Sequence, residues 1–392
     1  MTRRQAKIVY AVGERAIRTV TGGTTLAQSV VHLKGTAYER GRQHGASLRQ
    51  TIHAMVSRWK ENLTSEYGLA ADEVISRFIA RTDFLDAIET WTPGIIDEIR
   101  GLTDGSGLDF ETLFSFQCVD ELWANSDRIV GEHCSSFGVV GDGFQPTMIA
   151  QTIDVETFRD GGQAVLHIVD DTHESFVVTC AGVIGFNGLN HRGVGVCCNA
   201  ALPLRNAPSG LPVSCVVRGV LTRSSAEEAV EFLSRVPHAT GQHYLIGDPA
   251  HVRSIECSAG QVIEVPLDAE TGSICHTNHP LASDDVHPWY RELIQADKSY
   301  SFLDNSRARL AALRAGLSTM EEARAGQFSR ILSSRDDLRH PICASREDGE
   351  FYNEAGLFTF ASTLMELSDS PVLHVALGPP NQTPVERLRF AL

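Results

Sequence analysis

The chemically most suggestive stretch of this sequence is GEHCSSFGVVGDGF, from Gly131 to Phe144, where a cysteine precedes two small hydroxyl residues. A thiolate attacks carbonyl carbon and also leaves readily from the thioester it forms. Cys134 can therefore pass an acyl group between two partners if a base takes its proton. Two bases are available. One is a histidine, of which the chain has 15, but no papain-type signature surrounds Cys134: Ser135, Ser136 and Phe137 follow it, and no tryptophan adjoins it. The other is the cysteine's own α-amine, freed by a cut between His133 and Cys134. With a pKa of about 7.7 to 8, that amine accepts a thiol proton near neutral pH.

The elements around Cys134 favour a special position for it. Up to Trp123, apolar residues recur at helical intervals through ISRFIARTDFL, GIIDEIRGL and FETLFSFQCVDELW. Thr36 and Glu39 have the spacing of a capping box, and Gly41 and Gly45, four apart, predict a close helix contact. After Cys134 the period changes. TMIAQTIDV, AVLHIVD, SFVVTCAGVIGF and GVGVCCNAAL read as antiparallel strands separated by glycine, aspartate and asparagine. Ser225 and Glu228 cap a helix over AVEFLSRV, and HYLIGDPAHVRSIECSAGQVIEV predicts a three-stranded meander. Residues 283–334 read as polar and helical, and FTFASTLMEL with VLHVALG forms a last hairpin around SDSP. With no repeat, low-complexity tract or linker, the reading is one α+β domain of antiparallel sheets covered by helices.

The totals narrow the function classes. A chain of 392 residues with 42% hydrophobic and 21% charged residues has an ordinary globular composition. Its 49 acidic and 34 basic residues give a charge of -15, which repels nucleic acid and anionic lipid. The first residues contain no apolar run of signal-peptide length and no later segment approaches a membrane span, so a cytoplasmic location is expected. Nine cysteines is an odd number, and the Cys197–Cys198 pair diverges if it lies on a strand, so no disulfide framework is expected. His276 and His279 with Cys197 or Cys198 fit no closed zinc site; neither a metal nor a cofactor is expected.

Several stretches, taken in order, resemble the isopenicillin N acyltransferase family (acyl-coenzyme A:6-aminopenicillanic acid acyltransferase), peptidase family C45, a branch of the N-terminal nucleophile (Ntn) hydrolases. They are GTAYERGRQHG (35–45), DEIRGLTDGSGLD (97–109), HCSSFGVVGDG (133–143), AQTIDV (150–155), the run from Gly182 to Leu202, HTNHPL (276–281), HPICASREDG (340–349) and TFASTLMEL (359–367). The resemblance implies a four-layer αββα sandwich with two antiparallel sheets. It also implies an inactive precursor that cuts itself between His133 and Cys134. The helical chain 1–133 and the catalytic chain 134–392 would stay associated as one Ntn domain, and a homo-oligomer is compatible with it. In the family's pattern Asp154 holds the amine of the nucleophile and Asn278 donates to the oxyanion, although the residues alone also allow a strand-ending aspartate and a turn asparagine.

The implied activity is hydrolysis of a linear amide in a small N-acyl compound through a Cys134 thioester. The alternative is transfer of an acyl group from coenzyme A or an amide to a small amine. A reading from another class is a non-cleaving binding protein with the same fold. Val155 and Glu156 stand where the family acyltransferase has two aromatic residues facing its acyl group, which makes them substrate-binding candidates. Glu156 then needs a cationic partner, either Arg159 or a group on the substrate. Asn199 either touches substrate or ties backbone together. Two departures stand out: His133 replaces the usual glycine, and the approach EFYNEAGLF lacks the family arginine, Arg346 lying about ten residues too early for that role.

Overall fold

The first helix is capped as its spacing predicts. The Thr36 hydroxyl accepts from the Glu39 N–H, and the Glu39 carboxylate accepts from the Thr36 N–H at 2.8 Å. The computed structural model describes residues 30–125, 134–296, 301–320, 325–345 and 357–390. Strand β1 (Val30–Lys34) leads into α1 (Ala37–Ser47), α2 (Arg49–Tyr67), α3 (Ala71–Arg81), α4 (Leu85–Trp91), α5 (Ile95–Ser106), α6 (Phe110–Gln117) and α7 (Val119–Ala124). Gly41 and Gly45 do mark a close contact: α1 lies backbone to backbone on α5. A Cβ on Gly41 would fall 1.8 Å from the Glu98 carbonyl oxygen, and one on Gly101 would fall 2.0 Å from that of Tyr38.

Beyond Cys134 the chain builds two sheets. In order come β2 (Ser135–Val139), β3 (Thr147–Glu156), β4 (Gln163–Val169), β5 (Glu174–Cys180), β6 (Asn187–Asn190) and β7 (Gly195–Ala200). Helices α8 (Val213–Leu221) and α9 (Ala226–Arg235) precede the meander β8 (Gln242–Gly247), β9 (Val252–Cys257) and β10 (Val262–Glu264). Then follow β11 (Ser273–His276), α10 (Pro288–Gln295), α11 (Ser301–Ser318), α12 (Ala325–Leu332), β12 (Leu357–Leu367), β13 (Val372–Ala376) and β14 (Glu386–Arg389). The larger sheet runs β1-β4-β5-β6-β7-β8-β9-β10 and the smaller β11-β2-β3-β12-β13-β14.

The two sheets pack face to face, β2 and β3 against β7 and β8. Gly195 and Gly247 make room on the larger sheet for Ile149, Met365 and Leu367 of the smaller. Helices α8 and α9 cover the larger sheet, whereas α11 and α12 cover the smaller, where Phe137 stacks on Phe328 at 4.9 Å. The layer order is therefore αββα, as expected. Within it, β1 pairs with β4 in parallel, an exception to the antiparallel pattern. Parallel pairing needs a long crossover, and the intervening helices with β2 and β3 supply it.

The N-terminal helices are keyed into the rest by buried polar contacts. Glu98 on α5 receives both terminal nitrogens of Arg218 on α8, at 2.6 and 2.9 Å. The Gln117 side chain on α6 clasps the β5–β6 loop through the Gly182 carbonyl and the Ile184 N–H. None of the nine cysteines is joined in a disulfide, and among the described residues no helix is long and apolar enough to cross a membrane.

The α1–α5 contact makes a stability prediction. Alanine at Gly101 gains roughly 1 kcal/mol of helix propensity, but its methyl group meets backbone that cannot turn aside, and overpacking costs about 1–3 kcal/mol or more. Gly101→Ala should lower the urea midpoint with an unchanged slope. An unchanged or raised midpoint would show that the helices separate at little cost.

Candidate active site

Cys134 stands directly before β2, an interior strand of the smaller sheet, and is buried. Its Sγ lies 3.9 Å from the main-chain oxygen of Asp154, near the end of neighbouring β3. Its own carbonyl accepts from Arg309 Nη1 at 2.7 Å, and the same nitrogen donates to Ser135 Oγ at 2.8 Å. Arg309 Nη2 donates to Asn278 Oδ1 at 2.8 Å, and Nε donates to Asn305 Oδ1 at 2.7 Å. One planar guanidinium thus joins the cysteine to the asparagine of the HTNH motif. His133 and Arg346 lie outside the described residues.

Asp154 faces Thr359 across the β3–β12 ladder, beside a bulge in β12. Both of its carboxylate oxygens are buried, and neither has a hydrogen-bond partner among the described residues. Burial pushes this carboxyl up to about 7, against the opposing pull of the Thr359 hydroxyl and the Arg309 guanidinium. Two positions on, and so on the same face of the strand, Glu156 pairs with Arg159 at 3.2 Å. Arg159 also lies over the rings of Phe116, Phe158 and Phe186. The pair is incompletely satisfied: Glu156 Oε1 and Arg159 Nη1 are buried without partners among the described residues, and burial raises the Glu156 carboxyl to about 7 despite Arg159. Val155, between the two acids, is half-buried.

Asn278 is fully enclosed. Its main-chain N–H donates to Ser306 Oγ at 2.9 Å, and its Nδ2 donates to the Ala200 carbonyl at 2.9 Å. Because Arg309 holds Oδ1, the amide orientation is fixed, and the second Nδ2 hydrogen remains for another acceptor. Asn199 spends its amide inside the protein. Its Nδ2 serves Ser136 Oγ and the carbonyls of His276 and Thr277, while Oδ1 accepts from Gln151. It ties β7 to β2 and to the HTNH turn. The two histidines of that turn are engaged too: His276 with Glu256 and the Thr277 carbonyl, His279 Nδ1 with Ser306 Oγ.

Cys134, Asp154 and Asn278 thus converge, and Arg309, which bonds Cys134 and Asn278 and acts on Asp154 by charge alone, was not among the residues expected. Neither were its neighbours Asn305 and Ser306. A signal was there: Phe302, Ser306, Arg309, Leu313 and Leu317 follow helical spacing, and an arginine occupies an inward position of that stripe.

The sequence profile described as acyl-coenzyme A:6-aminopenicillanic acid acyl-transferase matches residues 142–366, more than half of the chain. The chain belongs to this family. The matched span holds Asp154, Asn199, Asn278 and Arg309 but begins after Cys134, whose place rests on the contacts above. Among relatives of this acyl-transferase family member, protein dcd1B of Dictyostelium discoideum is 24% identical over 301 residues, 71% of this chain and 59% of that protein. The acyl-coenzyme A:6-aminopenicillanic-acid-acyltransferase 40 kDa form of Emericella nidulans is 29% identical over 175 residues, 44% of this chain and 46% of that one. The chain thus spans about half the length of the curated relatives it matches. Solved structures overlap it more loosely. A mutant conjugated bile acid hydrolase from Clostridium perfringens has TM-score 0.41 and 13% identity, covering 66% of this chain and 97% of that one. Penicillin V acylase from Agrobacterium tumefaciens has TM-score 0.41 and 15% identity, covering 66% and 86%.

The buried Asp154 carboxyl sets a pH test. Its folded pKa, about 7, lies above the ordinary 3.8, so the native state binds the proton more tightly. The stability this contributes is fully present below the ordinary value and is lost as pH rises through the folded one. Comparing the Cys134→Ala chain with its Asp154→Asn derivative, the asparagine protein should gain relative stability between about pH 4 and pH 7. A difference that stays constant over that range would mean an unperturbed carboxyl.

Proposed function

We propose that this family member is a self-processing cysteine amidohydrolase acting on a small N-acyl compound. The observation that carries the reading is a thiol at the start of an interior strand, 3.9 Å from the main-chain oxygen of Asp154, a residue whose buried carboxylate oxygens have no partner among the described residues. In processing, Cys134 Sγ adds to the His133 carbonyl, the Cys134 nitrogen departs as an amine, and water hydrolyses the resulting thioester. The new α-amine meets Asp154 and satisfies it. In turnover that amine takes the thiol proton and the thiolate attacks the substrate carbonyl. The remaining Asn278 N–H receives the oxyanion, and the leaving amine carries off the proton. Water then cleaves the thioester and restores the thiol. The prior engagement of His276 and His279 Nδ1 supports the amine over a histidine as base.

The polar keys between the N-terminal helices and the sheets support two chains, 1–133 and 134–392, that stay together after cleavage. Nine cysteines without a disulfide fit a reducing compartment, and we assign the protein to the cytoplasm. The description of the matching family and the Emericella nidulans relative favour a second reading, in which a small amine takes the place of water and coenzyme A or an amide supplies the acyl group.

Purified protein should separate into two chains on a denaturing gel. Scaling 42.8 kDa by 133/392 and 259/392 gives about 14.5 and 28.3 kDa. Cys134→Ala should remain one chain. A full-length wild-type chain that is nonetheless active would end the N-terminal-amine mechanism, and one that is inactive would favour the binding-protein reading.

Val155 and Glu156 are our assignment for the substrate wall, with the unspent Glu156 oxygen favouring a polar or amine-bearing substrate over a purely aliphatic one. Glu156→Gln should reduce kcat/KM selectively on cationic amides when paired cationic and neutral amides are compared. Equal loss on both, or none, would leave the Glu156–Arg159 bridge as a purely internal pair.

A further inference from the structure

Glu256 sits at the heart of a second buried cluster, in the larger sheet, across the sandwich from the strand that follows Cys134. It is carried on β9, and its side chain is fully enclosed. Its carboxylate collects four donors, all from the turn that presents Asn278. On the entering arm, His276 Nε2 lies 2.8 Å from Oε1. On the leaving arm, the N–H groups of Leu281, Ala282 and Ser283 donate at 2.5, 3.1 and 2.7 Å. His276 is pinned further, because its Nδ1 meets the Thr277 carbonyl at 2.8 Å and its ring stacks on His243 at 3.6 Å. Burial works against the charge on Glu256, yet His276 and the turn's N–H groups hold the carboxyl below its ordinary value.

We propose that Glu256 and His276 are positioning residues for the oxyanion donor: the carboxylate grips both arms of the turn and thereby fixes where the remaining Asn278 N–H points. This rests on the reading of Asn278 as that donor. Neither residue needs to touch substrate. The physical ground is the steep dependence of oxyanion stabilisation on donor placement. Removing such a donor costs about 100-fold to 1000-fold in kcat, and misplacing a reacting group by one ångström costs about 100-fold. Arg309, Ser306 and Asn199 hold the turn close to Asn278, whereas Glu256 ties its entering arm to its leaving arm. A fully buried carboxylate with four donors resists a shift of those arms, since each lost bond leaves an enclosed charge short of a partner.

The test uses Cys134-dependent hydrolysis of p-nitrophenyl acetate by the processed protein, with the rate of the Cys134→Ala chain subtracted. Glu256→Gln should lower kcat by about 10-fold to 100-fold with little change in KM. His276→Leu should do the same, and His276→Gln, which keeps a donor for Glu256, should recover most of the loss. Thermal melts separate these effects from unfolding, and the His276 pair carries the test if Glu256→Gln does not fold. In an Asn278→Ala background, Glu256→Gln should cost no further kcat, because the two act as one unit. Full activity in folded His276→Leu would overturn the proposal, as would independent, multiplicative losses in the double variant. If Asn278→Ala alone leaves kcat intact, the oxyanion reading falls first and this proposal with it.

Discussion

A buried guanidinium organises this protein. Arg309 has no exposed surface, and taking a charge out of water is tolerated only where hydrogen bonds and counter-charge replace the solvent. Burial lowers its pKa to about 10, with the charges of Asp154 and Cys134 opposing, so it stays cationic at neutral pH. Its donors reach Asn305 on its own helix, the carbonyl of Cys134, Ser135 Oγ and the amide of Asn278. Each hydrogen bond to a charged group is worth about 1.5–3 kcal/mol, a sizeable share of any domain's stability. Helix α11, the strand that follows Cys134 and the HTNH turn are therefore held in one mutual geometry. A lysine, with a single point charge, has no fork to span them.

The sheets carry that arrangement through a polar seam in an otherwise apolar interior. Gln151 on β3 accepts from Asn187 on β6 and donates to Asn199 on β7, and Asn187 also donates to Thr363 on β12. Asn199 in turn donates to Ser136, two residues from Cys134. Apolar side chains pack in many registers, whereas amides and hydroxyls in a low-dielectric core tolerate one pairing. The seam thus fixes the relative register of two sheets that meet through glycine and aliphatic contacts.

Much of this was legible in the residues. The capping box of Thr36 and Glu39, the glycine spacing of α1 and the hairpins after Cys134 are local signals, and each appears where the local pattern puts it. Asp154 and Asn278 converge on Cys134 through tertiary structure, and only the resemblance pointed to them. Arg309 and Glu256 were missed for a common reason. Each is a charged residue at an inward position of a helix or strand, where periodicity predicts an apolar side chain, and the site groups it bonds lie 20 to 175 residues away. The parallel β1–β4 pair and the short polar strand β14 escaped for another reason, since neither partner's own sequence encodes the pairing.

The same logic bears on cleavage. Cutting a chain before Cys134 removes one covalent link, but the N-terminal helices are held by contacts that do not depend on it. The Glu98–Arg218 pair is buried and bidentate, and the β1–β4 ladder and the Gln117 clasp join the two sides independently. Losing the link therefore costs mainly connectivity entropy, which separation cannot recover without exposing a buried ion pair and an apolar interface. At Asp154 the balance runs the other way. The fold encloses the Asp154 carboxylate with no partner among the described residues, a state that burial disfavours and that a cationic donor brought to it would relieve. Of the three residues brought together at the site, Asp154 is thus the one whose buried oxygens are left short of partners among the described residues.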